Sequence, residues 1–394
     1  MRSFGKWLGR SLLVVLLGAV VVAVWKREEI NRVLAVNSLF DADRIVSNFS
    51  TMNSAFLTVP LATGTQEPSA LPTGTPFPLP ARVQDWLVER QVTSLLIMKD
   101  GAVVYEDYFL DTAAEDHRIS WSVAKSYLSA LVGVLLSEGA IGSLDDPVTQ
   151  YAPALAGGAY DATTVRDVLT MSSGVLFDED YLDPGSDINR MGRVLALGGK
   201  MDQFAADLTE TFAVAGAQWQ YVSIDTHVIG MVVRGATGRS VPALLSEKIV
   251  APLQLEGAPY YLTDGVGTAF VLGGLNVMTR DYARFAQMFV QRGMWQGEQI
   301  VPEAWVVAST SPAAPPAGPN AHPAADFYDY GYQWWIPKDG GPREYLARGI
   351  YGQYLYINEA EGVVIVSTAA DRQFRVPGVD AGNVAIFRAI VDAL

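Results

Sequence analysis

The chain has 394 residues, half of them hydrophobic, with no cysteine, three histidines and a formal net charge of −14. That composition supplies a large core and excludes disulfides, thiolate metal sites and cysteine nucleophiles. His117, His227 and His322 form no HExxH-type pair, so neither a metal nor another cofactor is expected. The acidic balance argues against a nucleic-acid partner, since phosphate binding needs a basic surface.

The N-terminus differs from the rest. Arg2, Lys6 and Arg10 precede an apolar run over residues 11–25, followed by Lys26 and Arg27. Residues 1–30 are therefore expected to be a membrane signal-anchor, just long enough to span a bilayer from Trp7 to Trp25. The heavier positive charge on the N-terminal side places the body outside the cytoplasm, in a periplasmic setting. A secreted form cleaved near Val21-Val22-Ala23 is the alternative. Residues 31–80 read as a tether and lead-in, and Pro68, Pro72, Pro76, Pro78 and Pro80 predict extended chain over 63–80.

Helical spacing over 82–90 is followed by apolar strands at 92–98 and 102–109, separated by Lys99-Asp100-Gly101, a hairpin signal. A long apolar helix opens at Ser122. From about 145 to 292 the pattern is mostly helical, clearest over 165–171, 228–236, 241–249 and 280–291. Residues 310–325 hold five prolines and read as a surface loop. Strands return at 354–358 and 363–369 around Glu361-Gly362, and a helix runs through 384–394. Strands at both ends with helices between imply an α+β domain over 81–394: an antiparallel sheet from both termini, flanked by helices, with a mostly helical insertion.

Three motifs carry chemistry. In Ser122-Val123-Ala124-Lys125, helical spacing puts a hydroxyl and an amine on one face, Cβ atoms roughly 5–6 Å apart. The bare pattern is weak, since Ser3-Phe4-Gly5-Lys6 also matches it, and a helix N-cap beside a surface lysine is the bland reading. The apolar surroundings argue otherwise: a poorly solvated lysine loses its charge readily and can take a proton from serine. The helix N-terminus adds N–H groups where negative charge would develop. Tyr221-Val222-Ser223 sits in a turn before a helix, although a lone buried tyrosine is more often packing. Gly349-Ile350-Tyr351-Gly352-Gln353 precedes a C-terminal strand, where glycine permits close backbone approach. His117 suggests a triad, but no Gly-x-Ser-x-Gly elbow supports one.

In order and spacing these motifs resemble the serine β-lactamase and penicillin-binding-protein superfamily, above all its class C-like branch containing 6-aminohexanoate-dimer hydrolase and related esterases. Val165-Arg166-Asp167-Val168-Leu169-Thr170-Met171-Ser172-Ser173-Gly174, Glu179-Asp180-Tyr181-Leu182-Asp183-Pro184 and Gly331-Tyr332-Gln333-Trp334-Trp335 extend the likeness over roughly 80–394. The resemblance implies a β-lactamase/transpeptidase-like fold with Ser122 as acylated nucleophile and Lys125 as its proton acceptor. Tyr221 would share protons with Lys125 and protonate the leaving group, with Ser223 in support. The backbone N–H groups of Ser122 and Ile350 would form the oxyanion hole, while Tyr181 and Gly349 line the substrate cleft.

The chain departs from the pattern in three places. Ala347-Arg348-Gly349 replaces the Lys-Thr-Gly type triplet, Tyr221-Val222-Ser223 replaces Tyr-x-Asn, and Asp225 stands where asparagine is common. No deacylating glutamate is identifiable from sequence. These departures favour hydrolysis of a small ester or amide. A peptidoglycan- or β-lactam-directed acyl transferase and a non-catalytic cell-wall-binding protein are the alternatives.

Overall fold

The computed structural model describes residues 24–318 and 322–394, with scattered positions among residues 1–23. Its elements begin with α1 (Arg27–Asn37), α2 (Ile45–Ser50), α3 (Met52–Ala55) and β1 (Leu57–Pro60). Next come α4 (Ala81–Glu89), β2 (Val92–Lys99), β3 (Ala102–Tyr108), β4 (Arg118–Ile119) and the apolar α5 (Ala124–Ser137). The helical part contains α6 (Val165–Leu169), α7 (Asp187–Leu197), α8 (Met201–Ala206), α9 (Ile224–Thr237) and α10 (Val241–Leu245). β5 (Tyr260–Thr263), β6 (Leu275–Val277), α11 (Thr279–Val290) and α12 (Glu303–Ser309) follow. The chain closes with β7 (Tyr328–Tyr330), β8 (Trp335–Pro337), β9 (Glu344–Gly349), β10 (Gln353–Asn358), β11 (Val363–Ala369) and α13 (Val379–Ala393).

The main sheet has seven antiparallel strands in the order β3-β2-β11-β10-β9-β8-β7, so the two ends of the domain meet where β2 pairs with β11. Side chains alternate across a strand with period two, and both central strands are apolar on both faces. Leu95, Ile97, Val363 and Ile365 face one core with Trp86 and Phe387 of the terminal helices. Leu96, Met98, Val364 and Val366 face the other, with α5 and α11. Trp86 Nε1 donates to Asn383 Oδ1 at 2.8 Å, fixing α4 to α13. In α5 the absent side chain of Gly133 admits Trp305: a Cβ there would lie 2.2 Å from the indole.

A smaller antiparallel sheet, β1-β5-β6-β4, lies beside the site. It corrects the expected tether. Residues 31–60 fold as α1, α2, α3 and β1, and β1 pairs with β5 from Leu57↔Thr263 to Pro60↔Tyr260. Ile45, Phe49, Met52 and Ala55 are buried, and spacings of four and three residues put Ile45 with Phe49 on one face of α2 and Met52 with Ala55 on one face of α3. Fully buried Arg118 donates from Nη1 to Val46 O and Ser50 Oγ, each at 2.7 Å. Residues 62–80 do run without helix, and Arg284 straps them down through Ser69 O at 3.1 Å.

The expected membrane anchor is also corrected. Among the described residues no helix is long and apolar enough to cross a membrane. A single N-terminal anchor over residues 1–30, with the extracytoplasmic placement and membrane partner that depended on it, is therefore not supported. Seven of the fifteen residues of its apolar run lie outside the described residues, and residues 27–30 begin the mixed polar helix α1.

Candidate active site

Strand β4 delivers the chain to Ser120 and Trp121, and Trp121 adopts φ 43°, a left-handed conformation unusual for a bulky residue. Ser122 lies in the 3-10 turn Trp121–Val123 that opens α5. Lys125, one turn on, is 1% exposed. Its Nζ lies 3.0 Å from Ser122 Oγ, 3.2 Å from Ser223 Oγ and 2.7 Å from Leu272 O. Desolvation brings the Lys125 pKa down to about 7, against an opposing pull from the Glu179 charge. Near neutral pH a large fraction of the amine is thus free to accept a proton from Ser122.

Tyr221, 7% exposed, occupies the turn before α9, and its ring packs against Trp335 at 5.0 Å. Lys125 Nζ lies 5.4 Å from the Tyr221 ring centroid. Burial and then the Glu179 charge raise the phenol pKa, while hydrogen bonding to Ser122 and Ser223 acts in the opposite sense. The Tyr221 ring thus lies beside the lysine, and burial favours the protonated phenol.

At the end of β9, Gly349 permits close backbone contact. A Cβ there would come within 2.6 Å of Ser120 O and 3.0 Å of Ser122 N. Its missing side chain thus serves the approach of β9 to the Ser122 turn, and Ile350 and Ser122 line one cavity. Two backbone N–H groups that converge on one oxygen stabilise a tetrahedral oxyanion. Tyr181 lines the same cavity and donates to Glu179 Oε1.

Arg348 is turned away from this cluster. Its Nη2 pairs with Asp380 at 2.7 Å, and its guanidinium lies over the Trp335 ring at 4.6 Å. Ala347 is 1% exposed and offers no charge. The Gly331–Trp335 stretch acts from behind: the Gln333 carboxamide accepts from Thr226 Oγ1 and donates to Val168 O and Leu169 O, while Ser126 Oγ donates to Gln333 O. The side chain thereby joins α6 to α9, and the backbone carbonyl of the same residue holds α5. His117 lies apart, packed near Tyr260 with ring centroids 6.0 Å apart.

The Beta-lactamase family model matches residues 85–386. The chain belongs to the β-lactamase family. Over 292 residues this β-lactamase-family chain is 30% identical to the 6-aminohexanoate-dimer hydrolase of Paenarthrobacter ureafaciens, covering 72% of the chain and 74% of that relative. A Bacillus anthracis protein provisionally designated a 6-aminohexanoate-dimer hydrolase superposes with a TM-score of 0.77 at 21% identity, over 90% of this chain and 95% of that one. A family VIII carboxylesterase superposes with a TM-score of 0.60 at 16% identity, over 82% of this chain and 99% of that one. The protein is a hydrolase of the β-lactamase fold, related to amide- and ester-cleaving enzymes.

The main residue that sequence reasoning missed in this β-lactamase-family site is Glu179. Its carboxylate accepts from Ser223 N at 2.9 Å, from Ser223 Oγ and from Tyr181 OH. Desolvation raises its pKa, with the Lys125 charge and these donors opposing. The signal lay in the Glu179-Asp180-Tyr181 stretch, but nothing in sequence tied Glu179 to Ser223, 44 residues on.

Proposed function

We propose that the protein is a serine hydrolase that cleaves a small ester or amide through an acyl-enzyme on Ser122. The observation that carries this reading is the Lys125 amine, buried, 3.0 Å from Ser122 Oγ, with its pKa brought down to about 7.

Neutral Lys125 takes the Ser122 proton as Oγ attacks the substrate carbonyl carbon. The N–H groups of Ser122 and Ile350 hold the resulting oxyanion. Tyr221 passes a proton to the leaving alcohol or amine and recovers one from Lys125, as a positioned acid and base. The bond to the leaving group breaks, leaving an ester on Ser122. Water then attacks that ester, losing its proton to the same cluster, and the acid departs with Ser122 restored. Ser223 and Glu179 fix the amine and phenol in place and set the charge around them.

The relative's name denotes an amide substrate and the structural neighbour's an ester, and both bonds suit this cycle. The test is labelling with a fluorophosphonate probe, located by mass spectrometry, beside an ester and amide panel. Label on Ser122, and loss of both label and turnover in Ser122→Ala with the melting temperature nearly unchanged, is expected. Label persisting at another serine in that variant sinks the assignment.

A further inference from the structure

The cavity at Ser122 measures about 350 Å³, within the roughly 300–1,000 Å³ of small-molecule sites. One side of it is built by the N-terminal segment, through Leu39, Met52 and Phe56, and another by Ile188, Leu195 and Phe270. The segment docks on the two aromatic residues that flank the proposed oxyanion donors. Phe40 stacks on Tyr351 with centroids 5.0 Å apart and ring planes 12° apart, and lies 5.9 Å from Trp121. Helix α1 also packs on α7, so the wall is continuous.

We propose that this cavity is an acyl pocket, closed by residues 36–56, that selects esters or amides with a neutral, apolar acyl group. The inference rests on Ser122 being the acylated residue. The leaving group departs towards Tyr221, which does not line the cavity, whereas Ser122 and Ile350 do; the cavity therefore receives the part of the substrate that stays on Ser122. Among the described residues, none that lines it is an aspartate or glutamate. The nearby Glu179 carboxylate is already engaged by Ser223 and Tyr181. Arg193, the one charged residue among the described ones that line it, is exposed and donates to Pro184 O. An acyl chain ending in an ammonium would bury an unpaired charge against apolar walls, which is strongly unfavourable. A methyl-ended chain gains from every methylene it buries there.

The experiment measures kcat/KM for p-nitrophenyl esters from acetate to decanoate, with the 6-aminohexanoate ester beside the hexanoate. The same series is run on Val36→Trp and Phe56→Ala. Values should climb roughly fourfold per methylene until the pocket is full, and hexanoate should exceed 6-aminohexanoate by about tenfold or more. Relative to acetate, Val36→Trp should depress the longer esters and Phe56→Ala should favour still longer ones; opposite shifts cannot both come from misfolding. A flat series, a preference for the amino ester, or both variants shifting the same way, with turnover still abolished in Ser122→Ala, overturns the acyl pocket alone. Turnover that survives Ser122→Ala overturns the acyl-enzyme reading and the pocket with it.

Discussion

A lysine held at 1% exposure loses far more hydration than three hydrogen bonds restore, and this suits Lys125 to the base role proposed for it. Its pKa falls from 10.5 to about 7, with desolvation the larger influence and the Glu179 charge the opposing one. The sign for activity follows: a base must be unprotonated in the free enzyme, so kcat/KM on a neutral ester should rise with pH through about 7 and level off above it. Glu179→Gln removes the charge that favours the ammonium, and the rising limb should move to lower pH. A profile flat from about pH 5 to 9, or a limb moving upward in Glu179→Gln, removes Lys125 from the base role. The serine–lysine pair was legible because both residues lie within one turn of a helix whose apolar neighbours are visible in the string. Glu179 was not, because only the folded chain brings it to Ser223.

At the scale of elements, the first turn of α9 has a similar burial problem with the opposite charge. Asp225 is fully buried, accepts from Ser173 Oγ at 2.7 Å and Tyr160 OH at 2.8 Å, and leaves Oδ2 without a partner in the described structure. Burial pushes its pKa from 3.8 up to about 7 despite those donors and despite the favourable helix N-terminus. Because the folded pKa is the higher, the native state keeps a proton that the unfolded state releases between about pH 4 and 7. Stability from this group is therefore full below about pH 4 and falls as pH rises to about 7. Asp225→Asn should abolish that fall. Its melting temperature relative to the parent should climb from pH 4 to pH 8, with a ceiling of about 4 kcal/mol for a shift of some three units. An advantage independent of pH would show that Asp225 is ionised throughout. The α1–α3 segment teaches a related lesson about elements. Ile45, Phe49, Met52 and Ala55 carried a helical spacing, but α2 has six residues and α3 four, too short for periodicity to stand out from a loop.

Across the whole molecule, the two-ended sheet was readable because its central strands are continuous apolar runs near each end of the domain, and β2 pairs with β11 where those runs meet. What the string could not show was the destination of Arg348. Strand alternation put Arg348 and Ala347 on opposite faces, and the fold then spends the guanidinium on Asp380 and Trp335, the latter packed against Tyr221. The triplet that elsewhere presents a lysine to a substrate carboxylate therefore offers no free cation at Ala347, and Arg348 cannot turn round without breaking its 2.7 Å pair with Asp380. Losing a charge-assisted contact costs about 1.5–3 kcal/mol, or one to two orders of magnitude in affinity. Carboxylate-bearing substrates should accordingly be poor ones. With nitrocefin, a D-Ala-D-Ala peptide and p-nitrophenyl butyrate compared under one set of conditions, kcat/KM should be highest for the butyrate, beyond the difference in their uncatalysed hydrolysis. Arg348→Ala should leave that order unchanged, because the side chain serves the sheet rather than the substrate. If nitrocefin or the peptide ranks first, the esterase reading fails and an acyl transferase directed at the cell wall takes its place.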